Sequence, residues 1–202
     1  MKQFIYSICL VFFIASCNKG KQTLDKVQEL SNSAQRVSGT IQESQKISSE
    51  VQELAKTTPI PKETFTSWLA IKVGGFTRIS YSAGGMSAAG ISSINATYTS
   101  KDASQKIEIK LIDGAGPSGS SALAGMQMVL AGDYEEESQT SSKKTITNGK
   151  YRALQEYNKQ DRKTGLQLVY NRRLLLVVKA TNLSPHKVWE FVEALDLEKL
   201  NT

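Results

Sequence analysis

The residue types that catalysis and metal binding require are sparse in this chain. It contains one histidine, His186, and two cysteines, Cys9 and Cys17. Because His186 follows Ser184, a residue type that caps helix starts, we expect it in an exposed first helical turn. Catalytic triads need a histidine beside a nucleophile, and zinc sites need clustered Cys and His, so neither is predicted. We therefore predict no catalytic residue, no metal and no enzymatic activity.

A glycine-rich segment comes closest to a cofactor motif. Residues Gly114 to Gly119 spell G-x-G-x-x-G between a predicted strand and a predicted helix, as in dinucleotide sites. The strand before it alternates apolar and charged residues from Ile107 to Leu111, whereas dinucleotide-binding strands are buried on both faces. We predict a tight strand-to-helix turn and no cofactor. The acidic run at 133–137 lacks the spacing and central glycine of calcium loops and is predicted to be solvated.

Positive charge is concentrated in the second half of the chain. Between residues 143 and 179, ten Lys and Arg residues are opposed only by Glu156 and Asp161. Several lie at predicted turns, where they could form a patch for an acidic protein or for anionic lipid head groups. Lysines at strand edges could equally serve to prevent aggregation. The candidate binding residues are Lys143, Lys144, Arg152, Arg162, Lys163, Arg172 and Arg173.

The first sixteen residues have the pattern of a secretion signal. Lys2 precedes an apolar run of about a dozen residues, Phe4 to Ala15. This run is too short to span a hydrocarbon core roughly 30 Å thick. Small residues follow, and then Cys17. An ordinary signal peptide with a chance cysteine, or a short membrane anchor, is the alternative interpretation.

The segment Ile14-Ala15-Ser16-Cys17 resembles the lipobox of bacterial lipoprotein signals. In that family a peptidase cuts before the cysteine, and the cysteine is acylated and anchors the protein in a membrane. Cys9 would be removed with the signal, so Cys17 would be the only cysteine left and no internal disulfide could form. Asn18 stands where inner-membrane retention in enteric bacteria favours Asp. The resemblance therefore implies an outer-membrane protein that faces the periplasm, where nucleic acid is not an expected partner.

Residues 17–58 are predicted to form the lipidated N-terminus and a helical spacer. Apolar residues from Leu24 to Leu54 recur mainly at three- and four-residue steps, which predicts one helical stripe. The stripe is interrupted by polar residues at Ser44-Gln45, which favours a solvated spacer over a strong coiled coil. Weak self-association through residues 22–56 stays open.

Pro59-Ile60-Pro61 ends this helix, so the globular domain is predicted to cover residues 59–202. Within the domain, apolar spacing predicts strands, with an alternating pattern that begins at Ile79 and Tyr81, and two helices, at 117–131 and 185–195. The residues predicted to face inward are Leu123, Met126, Val129 and Leu130 in the first helix and Val188, Phe191, Val192 and Leu195 in the second. The segment Leu174 to Val178 is apolar at five consecutive positions, so both of its faces should be covered. We predict an α+β fold in which helices flank a mainly antiparallel sheet, an α/β/α sandwich.

The order of predicted elements is similar to that of PsbP and Mog1-like proteins. Hairpin turns are predicted at Asn148-Gly149, as a type I′ turn, and at Asn171-Arg172. The resemblance implies a domain that binds partners, in keeping with an anchored envelope protein. An alternative is a carrier of a small apolar ligand, with the small-residue segment 82–93 at the mouth of its pocket.

Overall fold

The structure is a computed structural model that describes residues 42–200. The predicted signal segment 1–16, the lipidation residue Cys17 and the spacer up to residue 41 lie outside the described residues. Within residues 42–200, no helix is both long and apolar enough to cross a membrane.

Nine strands form one antiparallel sheet in the order β1-β2-β3-β4-β9-β8-β7-β6-β5. The helices are α1 (42–56), α2 (Lys62–Trp68), α3 (Pro117–Ala131) and α4 (Pro185–Ala194), with short 3₁₀ turns at Ser87–Ala89 and Leu197–Leu200. The strands are β1 (Lys72–Val73), β2 (Phe76–Ala83), β3 (Ser93–Thr99), β4 (Lys106–Asp113), β5 (Glu135–Glu137), β6 (Ser141–Asn148), β7 (Tyr151–Asn158), β8 (Lys163–Tyr170) and β9 (Leu174–Thr181).

The prediction of an α+β fold with helices flanking an antiparallel sheet is confirmed. Strand β9 shows why the sheet needs cover on both faces. Leu174 and Leu176 belong to the large apolar core that includes α4, whereas Leu175 packs with Leu123 of α3 on the opposite face. Since successive side chains of a strand point to opposite faces, this apolar run is buried from both sides.

Helix α4 is held by an apolar stripe at three- and four-residue spacing. Val188, Phe191 and Val192 are buried, as predicted. The Phe191 ring packs edge-on against Tyr98 at 5.2 Å and Phe76 at 5.8 Å between ring centroids. Burying one such aromatic side chain contributes roughly 1.5–3 kcal/mol, so this contact fixes α4 on β2 and β3.

Two predicted details of the helices are wrong. Ser184 occupies the N-cap position of α4, but its side chain makes no capping hydrogen bond. Val129 of α3, expected to face inward, is exposed, whereas Leu123 and Leu130 are buried.

The β6–β7 hairpin turns one residue later than predicted. Asn148 pairs with Tyr151, so the central residues are Gly149-Lys150, and of these two only Gly149 has a positive φ, of 56°. Glycine at the first central position is typical of a type II′ turn, not of type I′. The β8–β9 turn contains Asn171 and Arg172, both with positive φ, but it also includes Arg173 and is therefore one residue longer than predicted.

Strand β2 departs from simple alternation. Ile79 and Tyr81 are both more than half exposed, although their spacing predicts a buried face. The pairing register with β3 shifts between Arg78 and Ser80, so Ile79 is the additional residue of a β-bulge. After the bulge Tyr81 lies opposite the buried Ala96, so Ile79 and Tyr81 do not share one face of the sheet as simple alternation predicts.

Helix α1 packs on the sheet domain. Ile47 is buried, and Leu54 packs against the apolar cluster of α3. The Leu54 carbonyl accepts a 2.9 Å hydrogen bond from the Gly116 amide, and Glu50 forms an ion pair with Arg172. The compact unit accordingly begins at Glu43, ahead of the predicted boundary at residue 59.

Candidate functional site

His186 lies at the surface, as its position at the start of α4 predicts. Its side chain is 82% exposed, and Nε2 is 3.1 Å from Oε1 of Glu190. Across residues 42–200, no group of three or more His, Cys, Asp or Glu residues could hold a metal ion.

The G-x-G-x-x-G segment forms a tight turn between β4 and α3. A Cβ atom at Gly119 would lie 2.5 Å from the carbonyl oxygen of Asp113. A Cβ atom at Gly114 would lie 2.7 Å from Leu123 Cδ2 and 2.8 Å from the Arg173 carbonyl oxygen. Close packing inside the chain therefore accounts for these two glycines.

A buried ion pair stands beside this turn. Asp113 is fully buried, and its Oδ1 accepts hydrogen bonds from the Ala115 amide (3.0 Å) and Arg173 Nε (2.8 Å). Its Oδ2 accepts from the Ile60 amide (2.7 Å) and Arg173 Nη2 (2.9 Å), and that Nη2 also donates to the Thr58 carbonyl. The hydrogen bond to Asp113 raises the pKa of Arg173. Arg173, a candidate binding residue, is thus engaged in holding three segments of the fold together.

Arg152 and Arg172 are likewise engaged in contacts between elements. Arg152 donates to the Gly132 carbonyl (2.8 Å) and to the Asp133 carboxylate (2.6 Å), just after α3. Arg172 pairs with Glu50 of α1 at 2.5 Å. These two predicted binding residues therefore lie at junctions between helices and the sheet.

The remaining candidate residues are divided between the faces and ends of the sheet. Lys143 and Lys144 are consecutive in β6, so they point to opposite faces. Arg162 lies in the β7–β8 turn with a φ of 50°, and Lys163 pairs with Asp161 at 3.2 Å. Of these four, Lys143 and Lys163 line one groove.

This groove lies on the sheet face that α3 covers only in part. It has a volume of about 590 Å³, and most of the residues that line it are charged or polar residues of β4–β9. The segment 82–93, proposed as a pocket mouth, does not line it; Met86 and Ile91 pack instead in the apolar cluster of α3. The groove is therefore open at the surface and has a row of charged side chains in its lining, in addition to apolar residues such as Leu166 and Val177.

One row of directly opposed residues crosses the floor of the groove. Neighbouring strands are about 4.8 Å apart, so the row presents regularly spaced side chains. In strand order it consists of Glu108, Lys179, Gly165, Glu156, Lys143 and Glu136. The sign of the charge alternates along this row except at Gly165, where there is no side chain.

The glutamates of this row already have partners. Glu156 Oε1 is 2.7 Å from Lys143 Nζ, and this hydrogen bond raises the pKa of Lys143. Glu108 pairs with Lys106 at 2.6 Å. Glu136, at the far end of the row, accepts a hydrogen bond from the Tyr134 hydroxyl.

Lys179 differs from the other charged residues of the groove. It is exposed and forms no ion pair with any residue in the described part of the chain. Its two cross-strand neighbours are Glu108 on β4, which pairs with Lys106, and Gly165 on β8, so an open space lies beside the lysine side chain on the β8 side. A Cβ at Gly165 would meet Glu156 at 3.6 Å, an ordinary contact, so the backbone there tolerates a side chain.

No protein-family model matches this chain, and no curated protein matches it. Among solved structures, a GTP-binding regulator from Thermotoga maritima matches with a TM-score of 0.30 and 10% sequence identity. The match covers 67% of this chain and 84% of that one. The similarity to PsbP and Mog1-like proteins stays a prediction.

Proposed function

We propose that this chain is a lipid-anchored protein of the bacterial envelope whose domain binds a protein partner and does not catalyse a reaction. The observation that carries the proposal is the difference between the two sheet faces. One face is covered by α2 and α4, whereas the other leaves the charged groove open beyond α3. A groove spanning several rigid strands is a surface on which a partner can dock without rearranging the fold.

The anchor part of the proposal rests on the lipobox-like residues that end at Cys17. Metabolic labelling with palmitate tests it. We expect the wild-type chain to be labelled in the outer-membrane fraction and a Cys17→Ala variant not to be labelled. Cys9→Ala is the matched control, because Cys9 lies in the segment that is removed, and it should leave labelling unchanged. Normal labelling of the Cys17→Ala variant would show that the anchor assignment is wrong.

The binding part can be tested in cells with a photo-crosslinking amino acid at Thr181, which lines the groove. We expect a defined adduct with one envelope protein. The same amino acid at Lys101, an exposed turn residue outside the groove, should give none. Gly165→Trp fills the groove and should abolish the adduct while the protein stays folded. Equal adducts from both positions, or an adduct that survives Gly165→Trp, would contradict the proposal.

A further inference from the structure

We infer that Lys179 and the space above Gly165 form a subsite for a single carboxylate, supplied by an Asp or Glu side chain of an extended partner segment. This inference rests on the proposed function, because it names the chemistry that the same groove recognises.

The charge that lacks a partner in the groove is positive. Six charged side chains line the groove, three acidic and three basic, and five of them already have a polar partner. The exception is Lys179. A ligand that places a carboxylate beside it forms a charge-assisted hydrogen bond without displacing an existing ion pair.

The geometry leaves room for that carboxylate at one position. Gly165 lies directly opposite Lys179 on β8, and the next residue of the row, Glu156, is engaged with Lys143. An acidic side chain placed above Gly165 would therefore have the Lys179 ammonium group on one side and the Glu156–Lys143 ion pair on the other.

The dimensions of the groove fit a short polypeptide segment. Its lining runs from Glu108 on β4 to Glu136 on β5, across six strands. Six strands span about 24 Å at about 4.8 Å per step, the length of about seven extended residues. Neighbouring polar groups of Gln167 and Thr181 can bind the backbone of such a segment.

The same charges argue against a membrane surface as the occupant. Head groups in an anionic bilayer present many negative charges, and they would approach Glu108, Glu136 and Glu156 as well as Lys179. A segment with one carboxylate avoids this repulsion. The groove is also concave, so a flat bilayer would not reach its floor.

The test uses the full lipidated chain in nonionic detergent and a dye-labelled hexapeptide, acetyl-Ser-Thr-Glu-Thr-Val-Ser-amide, with a second peptide that carries Gln in place of Glu. Fluorescence anisotropy at up to millimolar protein gives the affinities. We expect the Glu peptide to bind roughly two- to fivefold more tightly than the Gln peptide, the effect of one ion pair with an exposed lysine.

Lys179→Gln should abolish that difference, whereas Lys101→Gln, the same charge change outside the groove, should keep it. Gly165→Leu should weaken both peptides. No preference for the Glu peptide in the wild-type chain, or a preference that survives Lys179→Gln, would overturn the inference. So would stronger Lys179-dependent binding to phosphatidylglycerol vesicles than to the peptide. If the Thr181 crosslink persists in such a case, only the carboxylate subsite is refuted and the groove stays a partner site.

Discussion

Replacing Arg173 with methionine should destabilise the domain far more than the same change at its neighbour Arg172. The two side chains differ in exposure, 18% for Arg173 and 63% for Arg172, and in their partners. Arg173→Met leaves the fully buried Asp113 carboxylate without a counter-charge, which typically costs about 3–5 kcal/mol. Arg172→Met removes an exposed pair with Glu50, which contributes about 0–1 kcal/mol.

Because part of the Arg173 side chain reaches solvent, we expect the lower end of that range, about 3 kcal/mol. For a domain of this size that lowers Tm by about 6–12 °C. Urea unfolding followed by the fluorescence of Trp189, which is buried on α4, measures the difference. Hydrogen exchange at the Ile60 amide, which donates to Asp113, should accelerate in Arg173→Met alone.

A second substitution separates the buried charge from the lost packing. Adding Asp113→Asn to Arg173→Met removes the unpaired charge, so the double variant should be more stable than the sum of the single effects predicts. If Arg173→Met costs no more than Arg172→Met, Asp113 does not require its counter-charge and the reasoning fails.

Three further outcomes are expected. On helix α3, Gly119→Ala should destabilise the domain, because the new Cβ would lie 2.5 Å from a backbone oxygen. Gly125→Ala, which has no atom within 4 Å of its Cβ, should stabilise the domain by about 0.5–1 kcal/mol. Thermal unfolding of both variants measures this difference, and similar Tm values would contradict it. Burial raises the pKa of the Tyr98 phenol above its ordinary value of 10.0. The contribution of the neutral phenol to the free energy of unfolding is therefore fully present below about pH 10 and is lost as pH rises through the raised pKa. Tyr98→Phe should reduce this alkaline loss in urea unfolding at about pH 9 and 11, and an alkaline loss equal to that of the wild-type chain would refute the assignment. Phe191→Ala removes the ring at the centre of the aromatic contacts and should lower the free energy of unfolding by about 3–5 kcal/mol, measured by urea unfolding. A loss below about 1 kcal/mol would show that other contacts hold α4 on the sheet.

The fold class could be predicted from the sequence because most helices and strands bury a periodic apolar face. Helix α3 begins and ends where its spacing predicts, and the five apolar residues from Leu174 to Val178 identified a strand covered on both sides. Strand β5 was missed, since Glu135–Glu137 carry no apolar signal and form a strand by pairing with β6. That Ile79 and Tyr81 lie on different faces was missed because a bulge shifts the register without changing composition.

The groove was harder to predict from the sequence than the fold class, because it depends on which residues face each other across the strands. A count of charges between 143 and 179 suggests one basic patch, but the register places Glu156 beside Lys143 and Gly165 beside Lys179. The length of the β8–β9 turn would have been enough to find the pair, because Gly165 and Lys179 lie equally far from the two ends of this three-residue turn. The predicted turn was one residue shorter and gives a different pairing. A shift of one residue moves every side chain to the other face, so the pair could not be found from composition.

The pairing of β4 with β9 has a consequence for how the chain folds. In the described sheet, every other pairing joins strands that are consecutive in sequence, whereas β4 and β9 join residues 61 to 75 positions apart. The two meanders, β1–β4 and β5–β9, can each form locally, and the loop-closure entropy is concentrated in the one step that joins them. Asp113 ends β4 and Arg173 directly precedes β9, so their ion pair lies at the end of this seam. Folding of the whole domain is therefore expected to be limited by the docking of two preformed halves.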